Sequence, residues 1–259
     1  MTKLSSNWSR LQKQINPKSI KSKKKSILKT DKDEVKKEVV EKTGEEPVNM
    51  SVIQAALWSK ERDIQISDLE KPNVSINTNS SKKRQPGKYL AIDCEFVGVG
   101  PEGKESALAR VSIVNFYGYT IYDEFVKPRE TVTDWRTWVS GITPKHMNQA
   151  ISFKEAQNET ARLLKDKILV GHAVHHDLEA LFLSHPKSMI RDTTQFKLFR
   201  SISNGKTPGL KKLTKHFLKI DIQDGQHSSV EDARATMLLF RLHRKDFEKG
   251  IKKFDKSHK

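Results

Sequence analysis

Residues 88–97 read KYLAIDCEFV, an apolar run through Tyr89, Leu90, Ala91 and Ile92 that carries two carboxylates, Asp93 and Glu95, near its end. The aliphatic and aromatic residues suit a strand, and side chains two apart on a strand share one face of the sheet. Asp93 and Glu95 therefore point the same way from an otherwise buried strand, where like charges repel and resist losing water. Such a pair requires something positive beside it. Cys94, between them, faces the other side and reads as core packing.

Working outward, residues 108–116 (LARVSIVNF) and 120–125 (TIYDEF) make two more strands, with Tyr117-Gly118 as a tight turn between them. Residues 153–166 have helical spacing in Phe153, Ala156, Thr160, Leu163 and Leu164. Residues 168–171 (ILVG) form a short buried strand, and residues 177–184, 210–218 and 230–247 read as helices. Strands followed by alternation with helices predict an α/β domain with a mixed β-sheet flanked by helices, spanning 88–247. Ahead of it, residues 73–87 are a polar linker ending in Pro86-Gly87, a turn signal that sets the expected boundary. Within the upstream segment, residues 50–58 (MSVIQAALW) can form two helical turns with Val52, Ile53, Ala56 and Leu57 on one side. That helix is too short to stand alone in water, so it docks on the domain or on a partner. Residues 248–259 are expected to be a basic C-terminal tail.

The chain has 259 residues, 48 basic and 32 acidic, for a formal net charge of +16, with a mean hydropathy of −0.67. No stretch approaches the roughly 20 apolar residues of a membrane span, and no apolar core follows the N-terminal charges as in a secretory signal. A single cysteine excludes an intramolecular disulfide and a cysteine-based zinc cluster, which fits a reducing, intracellular home. No heptads appear, so a monomer is expected. Residues 10–29 hold eight basic side chains and no acidic one. Such a run is solvated and disordered as structure, and as function it addresses a protein to the nucleus or lies along nucleic-acid phosphates. The whole of 1–87 is expected to be a largely disordered basic tail and linker.

Two further aspartates join the pair in β-strand 88–97. Asp177 follows the ILVGH strand where a helix opens, and Asp232 opens the last helix, five residues after His227. Taken singly, each aspartate fits helix capping and His227 fits a surface loop. As a set, D-x-E, then G-H-x-x-x-H-D, then H-x-x-x-x-D resembles the DEDDh family of 3′→5′ exonucleases, the histidine branch of the DnaQ-like, RNase H-like exonucleases. Within it the chain is similar to the group of RNA exonuclease 4 and the interferon-stimulated exonucleases. The residues that carry this are DCEFVG at 93–98, SALARVSIVN at 106–115, WVSGIT at 138–143, GHAVHHDL at 171–178 and GQHSSVEDARAT at 225–236. Two positions depart from the group's commonest pattern: Phe96 stands where methionine is frequent, and His176 where asparagine often precedes the aspartate.

The resemblance implies an RNase H-like exonuclease fold and phosphodiester hydrolysis at a single-stranded 3′ end of RNA. It also implies ribosomal RNA precursors and pre-ribosomal particles as partners and a nuclear, nucleolar location. A DNA exonuclease and a silent RNA-binding scaffold are the alternatives. Two Mg²⁺ ions, with Mn²⁺ as a substitute, suit carboxylate oxygens, so Asp93, Glu95, Asp177 and Asp232 are the expected ligands and Asp93 the implied bridge. An imidazole titrates near neutrality, which suits His227 as the general base toward the attacking water. Phe96, Val97, Gly98 and His172 are the implied substrate contacts. Arg136 matches an arginine near the ribose, with a surface salt bridge as its equal alternative. Trp135 and Trp138 fit the site and the core equally.

Overall fold

Strand β1 (Tyr89–Val99) lies centrally in a seven-stranded sheet of order β5–β3–β2–β1–β6–β7. It pairs antiparallel with β2 (Glu105–Asn115), which turns back through Gly118 into antiparallel β3 (Thr120–Lys127). On its other edge β1 pairs parallel with β6 (Ile168–Gly171), which pairs parallel with β7 (Ile190–Asp192). Short strands β4 (Val132–Asp134) and β5 (Ile151–Ser152) join the far end of β1 and the outer edge of β3. The computed structural model describes residues 50–61, 64–69, 80–223 and 225–257. The basic run 10–29 and the tail expected ahead of residue 50 lie outside them.

Helices cover both faces. α3 (Phe153–Leu164) and α4 (His175–Ala180) bury Ala156, Leu163, Leu164, Leu178 and Leu181 against Leu90, Ile92 and Cys94. On the opposite face α7 (Ser229–Leu242) buries Ala233, Met237, Leu238 and Phe240 beside Ala91, Val114 and Val170. Cys94 thus packs away from its acidic neighbours. Smaller helices α2 (Thr137–Ser140), α5 (Lys197–Ser201) and α6 (Leu210–Leu213) fill the connections. No described helix is long and apolar enough to cross a membrane.

Packing continues upstream of the boundary expected at residue 87. Helix α1 (Val52–Ser59), capped by Ser51 accepting from the Gln54 amide, buries Ile53, Ala56, Leu57 and Trp58 on the domain, while Val52 is exposed. A helix this short leaves its last carbonyls without partners. Lys83 and Arg241 supply partners: Lys83 Nζ donates to the Trp58 carbonyl (2.7 Å), and the Arg241 guanidinium of α7 donates to the carbonyls of Leu57 (2.6 Å) and Lys60 (2.7 Å) while also holding the Phe116 carbonyl (3.0 Å) after β2. The Asn115 side-chain amide likewise donates to the carbonyls of Lys83 and Gln85, each at 2.7 Å, tying residues 80–87 to the end of β2. Gly118 has φ 73°, and a Cβ there would stand 2.7 Å from Leu57, so α1 seats on a turn that admits glycine only.

Other elements end earlier or later than the periodicity predicts. α4 stops at Ala180, short of residue 184, and Phe182 adopts φ 50°. The helix expected over 210–218 is α6 followed by a π turn, Thr214–Leu218. The helix expected over 230–247 breaks at His243 into α7 and α8 (Arg244–Ser257), so residues 248–257 are helical where a tail was expected. The first turns of α8 anchor it: Phe247 stacks on Phe196 at 4.0 Å, and Glu248 pairs with the buried Arg191 at 2.9 Å.

Candidate active site

β1 carries Asp93 and Glu95 up to a bulge between Glu95 and Phe96, where its pairing with β2 slips by one residue. Beyond the face that these carboxylates share lies a cleft of about 400 Å³ lined by Asp93, Glu95, Phe96, His172, His227 and Asp232 among others. Asp177 sits buried in the first turn of α4, outside the cleft lining. Asp232 sits buried in the first turn of α7, where the Gln223 amide group donates to Oδ2 at 2.8 Å. Neither aspartate is a helix cap, because the cap positions belong to Val174 and Ser228. His227 is half-buried, with Nδ1 3.8 Å from Asp232 Oδ2, and its main-chain N–H donates to the Val139 carbonyl at 2.7 Å. Asp93, Glu95, His227 and Asp232 thus line one cleft, whereas Asp177 is not part of its lining and reaches it through its charge on Asp93.

Their electrostatics follow from that crowding. Burial, then the charges of Asp177, Asp232 and Glu95, pushes the Asp93 carboxyl well above its ordinary range. Glu95 is pushed up to about 8, first by burial and then by Asp232, against opposing effects of Arg110 and of a hydrogen bond from the Ser229 backbone. Asp177 and Asp232 are raised chiefly by burial. Glu95 Oε1 is buried, and among the described residues no group hydrogen-bonds it. Among the described residues no three His, Cys, Asp or Glu side chains are already arranged to hold an ion. Like charges with no cation between them would not be drawn together. A hard divalent cation fits this donor set: all-oxygen, over-acidic, and with a buried carboxylate oxygen lacking a partner.

The surroundings of the cleft combine residues of the quoted motifs with Asp123, Asp192 and Thr193, which lie outside them. Gly171 admits no side chain, since a Cβ would meet Val174 at 2.4 Å. The turn that follows is held by Asp192, whose carboxylate accepts from the amides of Ala173 (3.0 Å) and Val174 (3.1 Å). That turn presents His172, whose Nδ1 is 2.8 Å from Thr193 Oγ1, and burial holds the imidazole below its usual range. Under Glu95, the Arg110 guanidinium grips Asp123 through two bonds of 2.8 Å, and Ser112 links Asp123 to the Ser229 hydroxyl.

Of the expected substrate contacts, Phe96 and His172 line the cleft. Val97 does not: it is fully buried with Ala109 and Ile142. Gly98 is buried too, and a Cβ there would meet the Gly103 carbonyl at 2.6 Å, so close backbone approach explains the glycine. Arg136 borders the cleft, but its guanidinium donates to Ser106 Oγ (2.8 Å) and to the carbonyls of Gly103 (2.7 Å) and Glu105 (3.2 Å), so it clamps the start of β2. The two tryptophans separate. Trp135 packs on the Val97 cluster, whereas Trp138, 77% exposed, stands at the cleft mouth.

Comparison with known proteins agrees with this fold. The sequence profile of the family described as exonuclease, RNase T, matches residues 90–240. The RNA exonuclease 4 of Debaryomyces hansenii is 64% identical over 260 residues, covering 97% of this chain and 96% of that protein. That of Candida albicans is 48% identical over 283 residues, covering 99% of each. Among solved structures, the Neurospora crassa Pan2 catalytic unit superposes with a TM-score of 0.56 at 26% identity, over 67% of this chain and 29% of that one. A Saccharomyces cerevisiae Pan2 pseudoubiquitin hydrolase–RNA exonuclease module in complex with AAGGA RNA shares the fold, with a TM-score of 0.54 at 24% identity over 76% of this chain and 34% of that one. The chain spans about a third of the length of those Pan2 modules.

Proposed function

The chain belongs to the exonuclease family, and from that premise we propose that it is a Mg²⁺-dependent 3′→5′ exoribonuclease in which Asp93, Glu95, Asp177 and Asp232 hold the metal and His227 is the general base. The observation that carries this reading is the convergence of Asp93, Glu95, Asp232 and His227 on a single cleft, with Asp177 buried close enough for its charge to raise Asp93, Glu95 pushed up to about 8 and one Glu95 oxygen without a hydrogen-bond partner among the described residues. Two bound divalent ions would supply charge for the attacking and leaving oxygens of the phosphodiester.

The protein's own groups account for the rest. The bulge after Glu95 ends the acidic face and lets Phe96 border the cleft beside it. His227, half-exposed at the cleft and 3.8 Å from Asp232, is free to take a proton from water at a ring nitrogen, while Asp232 stabilises the imidazolium that forms. Gln223 fixes the Asp232 rotamer, and the Asp192-braced turn fixes His172. Phe96 and Trp138 offer aromatic faces to unstacked bases, which favours single-stranded ends over paired ones.

The finer reading is trimming of ribosomal RNA precursors in the nucleolus. The basic run at 10–29 and the similarity to the RNA exonuclease 4 group support it. The test is a time course on matched 5′-labelled RNA and DNA single strands with Mg²⁺, Mn²⁺ or EDTA, and with Asp93→Asn. RNA shortened faster than DNA, with nucleoside 5′-monophosphates released and both EDTA and the substitution blocking it, is the expected result. Faster loss of DNA would move the substrate to DNA. RNA bound without shortening would make the chain a scaffold.

A further inference from the structure

Residues 193–220, between β7 and α7, contain seven Lys or Arg side chains and no Asp or Glu. Residues 88–259 carry 29 basic and 21 acidic side chains, so outside this segment only 22 basic side chains face the 21 acidic ones. That connection carries a net +7, residues 244–259 a net +4, and the rest of the region a net −3. Packing gives the charge a direction. Phe199, Leu210, Leu213 and Leu218 are buried in the core shared with α7, which leaves Lys197, Lys206, Lys211, Lys212, Lys215 and Lys219 exposed. Exposed charges mostly of one sign, with Asp221 paired to Lys215 among them, repel each other and favour a polyanion.

This face borders the cleft. Leu210 lines it with Asp93 and Asp232. The next residue, Lys211, donates from Nζ to the Gln223 carbonyl at 3.1 Å, and the Gln223 side chain donates to Asp232 Oδ2 at 2.8 Å. Two hydrogen bonds therefore join the basic surface to a carboxylate of the candidate metal site. Backbone at the junction is irregular in the same place: the π turn Thr214–Leu218 ends on Lys219 at φ 59°, and Gln223 has φ 57°. Single-turn π segments and left-handed non-glycine residues collect where function constrains the chain.

We propose that the 193–220 face is the track for the RNA backbone upstream of the 3′-terminal nucleotide, with Lys211 and Gln223 setting its register against Asp232. This rests on the exoribonuclease reading above. The recognised chemistry is a run of phosphates on a single strand, read without regard to base sequence. The contacts the lysines now make are exchangeable: Lys212 donates to Ser203 Oγ at 2.9 Å, and Lys215 pairs with Asp221 at 3.0 Å in an exposed ion pair.

The test uses the full chain carrying Lys197→Ala, Lys206→Ala and Lys212→Ala together, three exposed positions outside the cleft lining. A 5′-labelled 20-nucleotide RNA and a trinucleotide are the substrates. The track predicts that KM for the long RNA rises about tenfold or more, with kcat and trinucleotide turnover unchanged. Measured by anisotropy in an Asp93→Asn background, the slope of log K against log salt should shrink by about 2, since each phosphate contact on a single strand contributes roughly 0.7. Unchanged KM and unchanged slope would overturn the track, and so would equal losses on both substrates, which would mark a general defect. The Lys197→Ala, Lys206→Ala pair repeats the measurement should the triple variant melt early. A wild-type chain that cleaves neither RNA would defeat the exoribonuclease reading instead, while the salt slope still decides the track.

Discussion

Removing the ionisable group at Glu95 should stabilise the metal-free protein at alkaline pH. In the folded chain this carboxyl moves from 4.5 up to about 8, first through burial and then through the neighbouring Asp232. The native state then holds a proton that the unfolded chain has already released, so the contribution to stability is intact below about pH 4.5 and is lost as pH rises toward 8. Across that window each pH unit costs up to about 1.4 kcal/mol, so this one group removes roughly 2 kcal/mol between pH 6 and pH 8. For a domain of about 150–250 residues, 1 kcal/mol moves Tm by about 2–4 °C, which makes the expected fall in EDTA roughly 4–8 °C. Glu95→Gln keeps the shape without the titration. Calorimetry or dye-monitored melting of both proteins in EDTA, at several pH values, reads the difference directly. The substituted protein should melt higher at pH 8 and show a shallower slope, its remaining dependence coming from Asp93, Asp177 and Asp232 titrating together. Added Mg²⁺ should recover the loss in the wild type more than in Glu95→Gln. Parallel pH slopes for the two proteins would refute the crowded-carboxylate reasoning.

Three further expectations follow from other parts of the molecule. His227→Ala should lower kcat by roughly 10²–10⁴-fold while leaving RNA affinity and Tm close to wild type, since a positioned general base supplies about that factor and the side chain is half-exposed; single-turnover kinetics separate the two. Arg241→Leu removes the donors that tie the Leu57 and Lys60 carbonyls of α1 and its cap to α7 and to the Phe116 carbonyl, so Tm should fall by about 10 °C and proteolysis should begin between α1 and β1; an unchanged digestion pattern would mean that the other contacts seat the helix without Arg241. Deleting residues 1–49 should spare turnover of short oligomers and weaken binding to long RNA at low salt, and an unaltered salt slope would remove phosphate contact from the roles of that segment.

Much of the site was legible because its residues violate local rules in a recognisable order. Asp93 and Glu95 are conspicuous on an apolar strand, and Asp177, His227 and Asp232 repeat a spacing that resembles a known family. The long elements were legible for the same reason: eleven-residue β1 and twelve-residue α3 have enough positions to show a period. Strands β4, β5 and β7, of two or three residues each, do not. The docking of α1 was illegible because its Leu57 carbonyl is satisfied by Arg241, 184 residues away. Gln223 and Asp192 escaped for a similar reason, since a polar loop residue acquires meaning only from the carboxylate or the turn it meets in space. Val97 and Gly98 adjoin the acids in sequence, but the bulge and the alternation of side chains send them into the core.

On the proposed reading, this cleft hydrolyses RNA from a free 3′ end. One RNA sequence prepared twice, linear with a 3′-hydroxyl and covalently circular, incubated with Mg²⁺ and either wild-type protein or Asp232→Asn, tests it most directly. The linear strand should shorten one nucleotide at a time with wild-type protein only, and the circle should persist in every lane. Cutting of the circle, or shortening of the linear strand by Asp232→Asn at the wild-type rate, would contradict the account.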